Sequence, residues 1–345
     1  MIVRARAPLR LGFAGGGTDV TPYCDLYGGY VLNATIDLYA YSNLEPTNDG
    51  MVHFDAHDHQ KNVSLKLSEI DHLDTTDCEL ALHMGVYRRV VRDYLGGVYP
   101  SIRLKTYSDA AAGSGLGTSS TLVVSMLKAF VEYLGLPLGE YEIAHLAYEI
   151  ERIDVGLQGG KQDQYAATFG GFNFMEFYAD DRVIVNPLRV KNWIVSELES
   201  SLILYFTGVS RDSARIISGQ VDRVINKSPT TTDALHKIKE GAVRMKESLL
   251  KGAISEFGEW LDSSWQAKKC LSDSVSNSAV DAVYDLAKDA GAYAGKISGA
   301  GGGGFMMFLA DPIRRIDVIR ALSETPGQVM SCHFVKWGTE GWKIG

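Results

Sequence analysis

The residues best suited to chemistry in this sequence form one run, Asp109-Ala-Ala-Ala-Gly113-Ser114-Gly115-Leu116-Gly117-Thr118-Ser119-Ser120. Glycines permit positive φ and let backbone N–H groups approach a ligand closely. A helix starting just behind them adds unpaired N–H groups and the positive end of its dipole. The hydroxyls of Thr118, Ser119 and Ser120 suit a phosphate or a magnesium ion. Together these features describe an anion cradle fit for a di- or triphosphate.

Two other phosphate loops do not fit. A Walker A loop ends in Gly-Lys-Ser/Thr, and no lysine occurs here. A dinucleotide loop reads G-x-G-x-x-G; this one is G-x-G-x-G, with Thr118 in the sixth position, and no acid closes a following strand to hold a ribose. Taken alone, the run also reads as a tight turn capped by serine.

Such a loop has to be held between a strand and a helix. Residues 102–107 alternate apolar and polar, which predicts a strand, and residues 121–133 and 141–153 predict two apolar helices. Upstream, residues 2–11 and 29–41 read as strands around a turn at 12–19, and residues 80–94 as a helix. Composition shifts over residues 181–195, around Pro187, so we expect domains at 1–188 and 189–345. A chain of 345 residues exceeds what one core usually organises. In the second half the pattern predicts strands at 201–207, 305–309 and 329–335, helices between 211 and 290, and another helix at 313–322. Strands and helices mix in both halves, which is an α+β class.

The formal charge of −8, without a long Lys/Arg run, argues against a nucleic-acid partner. No apolar run reaches the roughly 18–20 residues of a membrane span, and no apolar segment follows Arg4, Arg6 and Arg10 as in a signal peptide. The expected location is the cytoplasm. Cys24, Cys78, Cys270 and Cys332 lack metal spacing and read as reduced thiols. His53, His57 and His59, among Asp55 and Asp58, read as a polar hairpin rather than a metal site.

Glycine clusters elsewhere extend the pattern. Arg6-Ala-Pro-Leu-Arg10 with Gly15-Gly16-Gly17-Thr18-Asp19, the run from Gly113 to Ser120, and Lys296-Ile-Ser-Gly299-Ala-Gly301-Gly302-Gly-Gly304-Phe305 resemble, in order, the first, second and third motifs of the GHMP kinases, the family of galactokinase, homoserine kinase, mevalonate kinase and phosphomevalonate kinase. The resemblance implies a two-domain fold: an N-terminal domain like ribosomal protein S5 domain 2, a ferredoxin-like C-terminal domain, and an active site in the cleft between them. It also implies ATP and Mg2+. The segments at 12–19, 29–36 and 159–166 resemble the branch that phosphorylates the anomeric hydroxyl of D-glycero-D-manno-heptose 7-phosphate, giving the 1,7-bisphosphate used for nucleotide-activated heptose. Fucose kinases share part of the pattern. A homodimer is compatible with it.

Carried over residue by residue, the resemblance assigns nucleotide binding to Gly113, Ser114, Gly115, Leu116, Gly117, Thr118, Ser119 and Ser120, and magnesium to Ser119 and Glu151. Asp163, expected in a polar turn, becomes the general base. Arg10 would hold that base or the reacting oxygen, and Lys161 would keep Asp163 ionised or reach the sugar phosphate. Glu149, the competitor of Glu151, would point away from it on a helix. Asp19 would grip substrate hydroxyls, with Gly15, Gly16, Gly17, Thr18 and Gly160 shaping the pocket. Galactokinases have a Glu-His pair where this chain has Gly16-Gly17, which implies room for a larger or phosphorylated sugar. Lys161, Arg211 and Arg215 are the candidate cations for that phosphate. Gly301 and Gly302 would close over the phosphates, or form only a tight turn into a strand. A fucose- or arabinose-type anomeric kinase is the alternative substrate reading. A sugar sensor without catalysis would have lost Asp163, Glu151 or Ser119, and all three are present.

Overall fold

Period-two burial starts the chain as a strand: Val3, Ala5 and Ala7 are buried while Arg4 is exposed. The structure, a computed structural model, describes residues 1–75, 78–209, 213–226, 228–272 and 274–345. In chain order the first half comprises β1 (Ile2–Ala14), α1 (Tyr23–Tyr27), β2 (Gly29–Pro46), β3 (Met51–Ala56), β4 (Lys61–Lys66), α2 (Ala81–Tyr94), β5 (Ile102–Ser108), α3 (Thr118–Leu134), α4 (Glu140–Glu149), a π turn (Ile150–Asp154), α5 (Gln162–Phe169), β6 (Phe172–Phe177) and β7 (Val183–Pro187). The second half comprises α6 (Asn192–Ser201), β8 (Leu202–Phe206), α7 (Ser213–Ile225), α8 (Pro229–Lys251), α9 (Ile254–Lys269), α10 (Ser278–Asp289), β9 (Ala292–Ile297), β10 (Phe305–Ala310), α11 (Arg315–Ser323), β11 (Gln328–Met330) and β12 (Glu340–Ile344).

The large sheet runs β12-β1-β2-β5-β3-β4, with β6 and β7 attached to β2. Strand β2 is long enough to serve two partners besides β1. Its first six residues pair with β6 and its last seven with β5. The sheet's inner face packs on α2, α3 and α4 through Leu44, Phe54, Tyr87, Leu127 and Phe130. The second sheet, β11-β8-β10-β9, is antiparallel throughout. With helices between β8 and β9, and α11 between β10 and β11, it makes the expected ferredoxin-like β-α-β-β-α-β arrangement. Both its faces are covered. Leu202, Leu204 and Met307 meet Leu9, Phe13 and Phe172 of the large sheet, while Ile203, Tyr205, Met306 and Phe308 face Trp265 and the outer helices.

Residues 162–169 form a helix rather than a turn leading to a strand. Gly170, at φ 66°, stops it, and Tyr165, Ala166 and Ala167 are buried. The final strand expected at 329–335 also divides. Strand β11 ends at Met330, and the next residues hydrogen-bond where β2 departs from β1, Asp37 N–H to His333 O at 2.9 Å and Val335 N–H to Thr35 O at 3.0 Å. The chain then returns as β12, antiparallel to β1. Residue 188, the division expected from the sequence, lies between β7 and α6, while β12 from beyond it pairs with β1.

Candidate active site

Arg10, Asp19, Glu151 and Asp163 come from four separate stretches of chain and line one cleft of about 490 Å³. Its floor is the central glycine loop. Gly113, Gly115, Gly117, Thr118, Ser119 and Ser120 reach the cleft, whereas Ser114 and Leu116 are fully buried and turn inward. Gly117, at φ 79°, leads directly into α3, and no side chain caps that helix start. Its first N–H groups are thus left for a ligand.

The loop owes its shape to the third glycine cluster. A β-carbon on Gly115 would strike the carbonyl oxygen of Ser298, and one on Gly299 would lie 2.7 Å from the Cα of Gly115. Phe305 N–H donates to Ser114 O at 2.8 Å. Of that cluster only Gly299 and Ala300 line the cleft. Gly301 and Gly302 do not reach it; they turn toward residues 275–277, with Gly302 N–H on Val275 O at 2.7 Å and Asn277 Nδ2 on Gly302 O at 3.1 Å.

Asp163 stands in the first turn of α5, where the helix dipole favours a carboxylate. Both Arg10 Nε and Nη2 meet its Oδ1, at 2.7 and 2.6 Å. Arg10 also donates to Gly115 O, so it ties the carboxylate to the loop. A β-carbon on Gly117 would come within 3.0 Å of the Asp163 carboxyl carbon, which sets how near the two lie.

The next wall is built on Asp19. Gly17 N–H donates to its Oδ1 at 3.1 Å, Gln162 N–H to Oδ2 at 3.1 Å and Gln162 Nε2 to Oδ1 at 3.2 Å. Gly160 bears no side chain where one would collide with that carboxylate. Gly16 and Gly17 line the cleft; Gly15 packs on the β2 backbone instead, and Thr18 is fully buried with its hydroxyl on Gly15 O and Tyr30 O. These two residues shape the turn from behind.

Glu151 is buried on the π turn, a helix irregularity frequent at functional sites. Its Oε2 accepts from Ser120 Oγ at 2.6 Å and from Gln164 Nε2 at 2.7 Å. Arg152 approaches its Oε1 at 3.3 Å. Ser120, rather than Ser119, is therefore the serine in contact with Glu151. Ser119 lines the cleft next to it, and its hydroxyl makes no hydrogen bond among the described residues. A hydroxyl and a carboxylate are hard oxygen donors of the kind magnesium takes. No group of three His, Cys, Asp or Glu among the described residues could hold a metal by itself, so water and phosphate oxygens would complete such a shell. Glu149 turns to the opposite side and pairs with Arg89.

Lys161 does not reach the cleft. It is 2 % exposed, its ammonium makes an ion pair with Asp181 at 2.5 Å without hydrogen-bond geometry, and it lies over the Tyr148 ring. Burial pulls its pKa down, but Asp181, Cys24 and Tyr148 together outweigh that and the net shift is upward. The cation beside Asp163 is Arg10, and Lys161 braces α5 from behind. Arg211 lies outside the described residues, and so does the side chain of Arg215.

Three further polar groups reach the cleft, none of them assigned a role by residue chemistry and spacing. Lys268 of α9 donates to Gly299 O, and burial, assisted by the charge of Arg10, holds its pKa down at about 8. Gln220 of α7 donates to Gly17 O at 2.8 Å. Lys296 donates to Gly12 O and Phe13 O at 2.8 and 2.9 Å, and burial pushes its pKa well below the ordinary lysine range. Lys296 already stands inside the third motif; Lys268 and Gln220 carry no local signal, because nothing in an amphipathic helix says which polar residue turns inward.

Family models match in two places: the GHMP kinases N terminal domain over residues 81–171 and the GHMP kinases C terminal domain over residues 245–327. A D-glycero-alpha-D-manno-heptose 7-phosphate kinase of Campylobacter jejuni is 49% identical over 342 residues, spanning 99% of both chains. The crystal structure of a D-glycero-D-manno-heptose 1-phosphate kinase from Bacteroides thetaiotaomicron superposes with a TM-score of 0.81 at 49% identity, covering 99% of each chain. The L-fucokinase/L-fucose-1-P guanylyltransferase of Bacteroides fragilis is 28% identical over 94% of this chain and 36% of its own length.

Proposed function

The chain belongs to the GHMP kinases, a family of ATP-dependent small-molecule kinases, and from that premise we propose that it transfers the γ-phosphoryl group of ATP to the anomeric hydroxyl of D-glycero-D-manno-heptose 7-phosphate. The product is the 1,7-bisphosphate. The two heptose kinases above are named for different starting phosphates, C7 in one and C1 in the other. Both names carry a heptose phosphate as the substrate, and a 1,7-bisphosphate is the product that both C1 and C7 phosphates are compatible with. The anomeric acceptor is the reading we adopt, and we place the enzyme in the cytoplasm; among the described residues no helix is long and apolar enough to cross a membrane.

One observation carries the mechanism: Asp163 lies against Gly117 of the phosphate loop while the adjacent Gln162 holds Asp19. A base on that turn stands between the nucleotide and the sugar. Asp19 and Gln162 fix sugar hydroxyls, which places the acceptor oxygen near Asp163. Asp163 takes its proton as the oxygen attacks the γ-phosphorus in line; the new O–P bond forms, the bond to the β-phosphate oxygen breaks, and ADP leaves. Arg10 orients the carboxylate and adds positive charge where the phosphoryl group passes. The N–H groups of the loop and of the α3 start take the phosphates. Ser119 and Glu151 would hold Mg2+, which neutralises phosphate charge when bound.

The test is ADP release against free and 7-phosphorylated heptoses, fucose and galactose, with the product's phosphate located by 31P NMR. The expected result is preference for heptose 7-phosphate and a new anomeric phosphate. Preference for fucose or galactose, or phosphorylation at another carbon, would overturn the assignment.

A further inference from the structure

We propose that Lys268 recognises the phosphate the sugar already carries, and that the cleft selects sugar phosphates over free sugars through this one ammonium. The inference rests on the sugar-kinase reading above and adds to it the group that reads the far end of the sugar.

Four cations line the cleft among the described residues: Arg10, Arg152, Lys268 and Lys296. Arg10 is committed to Asp163 and Gly115 O. Arg152 wraps its own loop, donating to Gly160 O at 3.2 Å and approaching Glu151. Lys296 donates to two backbone carbonyls of β1. Lys268 differs. It is 6 % exposed and donates to a single acceptor, the carbonyl of Gly299. An ammonium has three N–H groups, so two are left for the cleft.

Gly16 keeps the space before that ammonium open. A β-carbon on Gly16 would lie 3.7 Å from Lys268 Nζ and 3.8 Å from Gln162 Nε2. Any longer side chain at position 16 would fill the volume in which a ligand meets both groups. Gln162 is the residue that holds Asp19, so the ammonium stands on the sugar side of the cleft. Asp19 and Asp163 are near enough to act on Lys268 electrostatically, yet neither forms an ion pair with it.

A buried cation without a direct counter-charge is unfavourable, and a phosphate supplies that charge along with acceptors for both open donors. A free sugar offers a neutral hydroxyl and leaves the cation unpaired. Burial and the nearby charge of Arg10 hold the Lys268 pKa down, in keeping with that imbalance. Discrimination therefore resides in Lys268, with Gly16 as the gap that admits the phosphate.

The experiment compares wild type, Lys268→Met and Lys268→Arg, each assayed with heptose 7-phosphate, unphosphorylated heptose and a second sugar phosphate, fructose 6-phosphate. The readout is the ratio of kcat/KM for a phosphorylated sugar to that for its unphosphorylated parent, from which the fraction of active enzyme cancels. Lys268→Met is expected to lower the ratio about 10- to 100-fold, the value of a charge-assisted hydrogen bond, with Lys268→Arg restoring part of it. An unchanged ratio, both substrates falling together, would overturn the proposal and assign Lys268 to the transferred phosphoryl group. A wild type that favours fructose 6-phosphate over heptose 7-phosphate, with a ratio that depends on Lys268, would remove the heptose assignment and leave this one standing. A wild type that favours unphosphorylated sugars would remove both.

Discussion

Arg10 and Asp163 stand 153 residues apart in the chain, and two guanidinium nitrogens of Arg10 converge on one carboxylate oxygen of Asp163, leaving Oδ2 without a partner from Arg10. In the proposed mechanism this carboxylate is oriented through one oxygen and presented through the other. Asp163→Asn should lower kcat by about 10²- to 10⁴-fold, the usual range for a lost general base, with the KM for ATP changed less than about threefold. Steady-state kinetics check this; near-full turnover in the variant would exclude Asp163 as the base.

The two serines of the α3 start should separate by phenotype. Ser119→Ala is expected to raise the Mg2+ concentration needed for half-maximal rate on the order of tenfold. Ser120→Ala removes the donor that reaches Glu151 at 2.6 Å and should instead cost about 1–3 kcal/mol of stability, measured by urea unfolding. Reversal of the two phenotypes would move the metal hydroxyl to Ser120.

Gly299→Ala places a β-carbon 2.7 Å from the Cα of Gly115, on a backbone at φ 77°. The left-handed conformation alone costs about 1–2 kcal/mol for an alanine. We expect a lower melting temperature and a higher KM for ATP, because the displaced neighbour is the phosphate loop. A rise confined to the KM for sugar would contradict the position assigned to that loop.

Acidity should act on Lys268 in opposite directions with and without substrate. Its charge is influenced by Arg10, Lys296, Asp19 and Asp163, and its pKa stands at about 8 against 10.5 in the unfolded chain. Between those values the unfolded chain binds more protons, so stability from this group rises with pH. Binding of a phosphorylated sugar needs the charged form, so kcat/KM for that substrate should fall above pH 8, approaching tenfold per unit. The fall should vanish in Lys268→Met. Its persistence there would assign the titration to another group.

His83 predicts acid sensitivity away from the site. Burial holds its pKa at about 4, and Nε2 meets Thr106 Oγ1 at 2.8 Å. The unfolded chain takes up the proton near 6.5, so its contribution is complete above that pH and is lost as pH falls toward 4, by about 3 kcal/mol. His83→Gln should flatten unfolding free energy against pH over this interval. An unchanged slope would place the acid response elsewhere.

The parts of this site that local sequence carries are those whose meaning lies within a few residues. A glycine run between a strand and an apolar helix is such a signal, and the loop from Gly113 to Ser120 does open α3. The pairing of Asp19 with Gln162 is not local, since 143 residues separate them. Lys161 illustrates the limit: two residues from Asp163 in sequence, it turns to the opposite side because the short helix α5 begins between them. Lys268 shows the converse, entering the cleft from a helix whose sequence reads as an ordinary amphipathic surface. Strand β12 was also out of reach, because its partner β1 lies at the other end of the chain and only the folded sheet joins them.

The contact of Gly115 with Gly299 ties these motifs into one unit of inheritance. A side chain at 115 would strike the carbonyl of Ser298, next to Gly299, and one at 299 would strike the backbone of Gly115, so substitutions at the two positions act on one seam and should be non-additive. A chimera that takes its central loop from one relative and its third motif from another would mismatch at that seam. Specificity grafts between these kinases should move the two segments together.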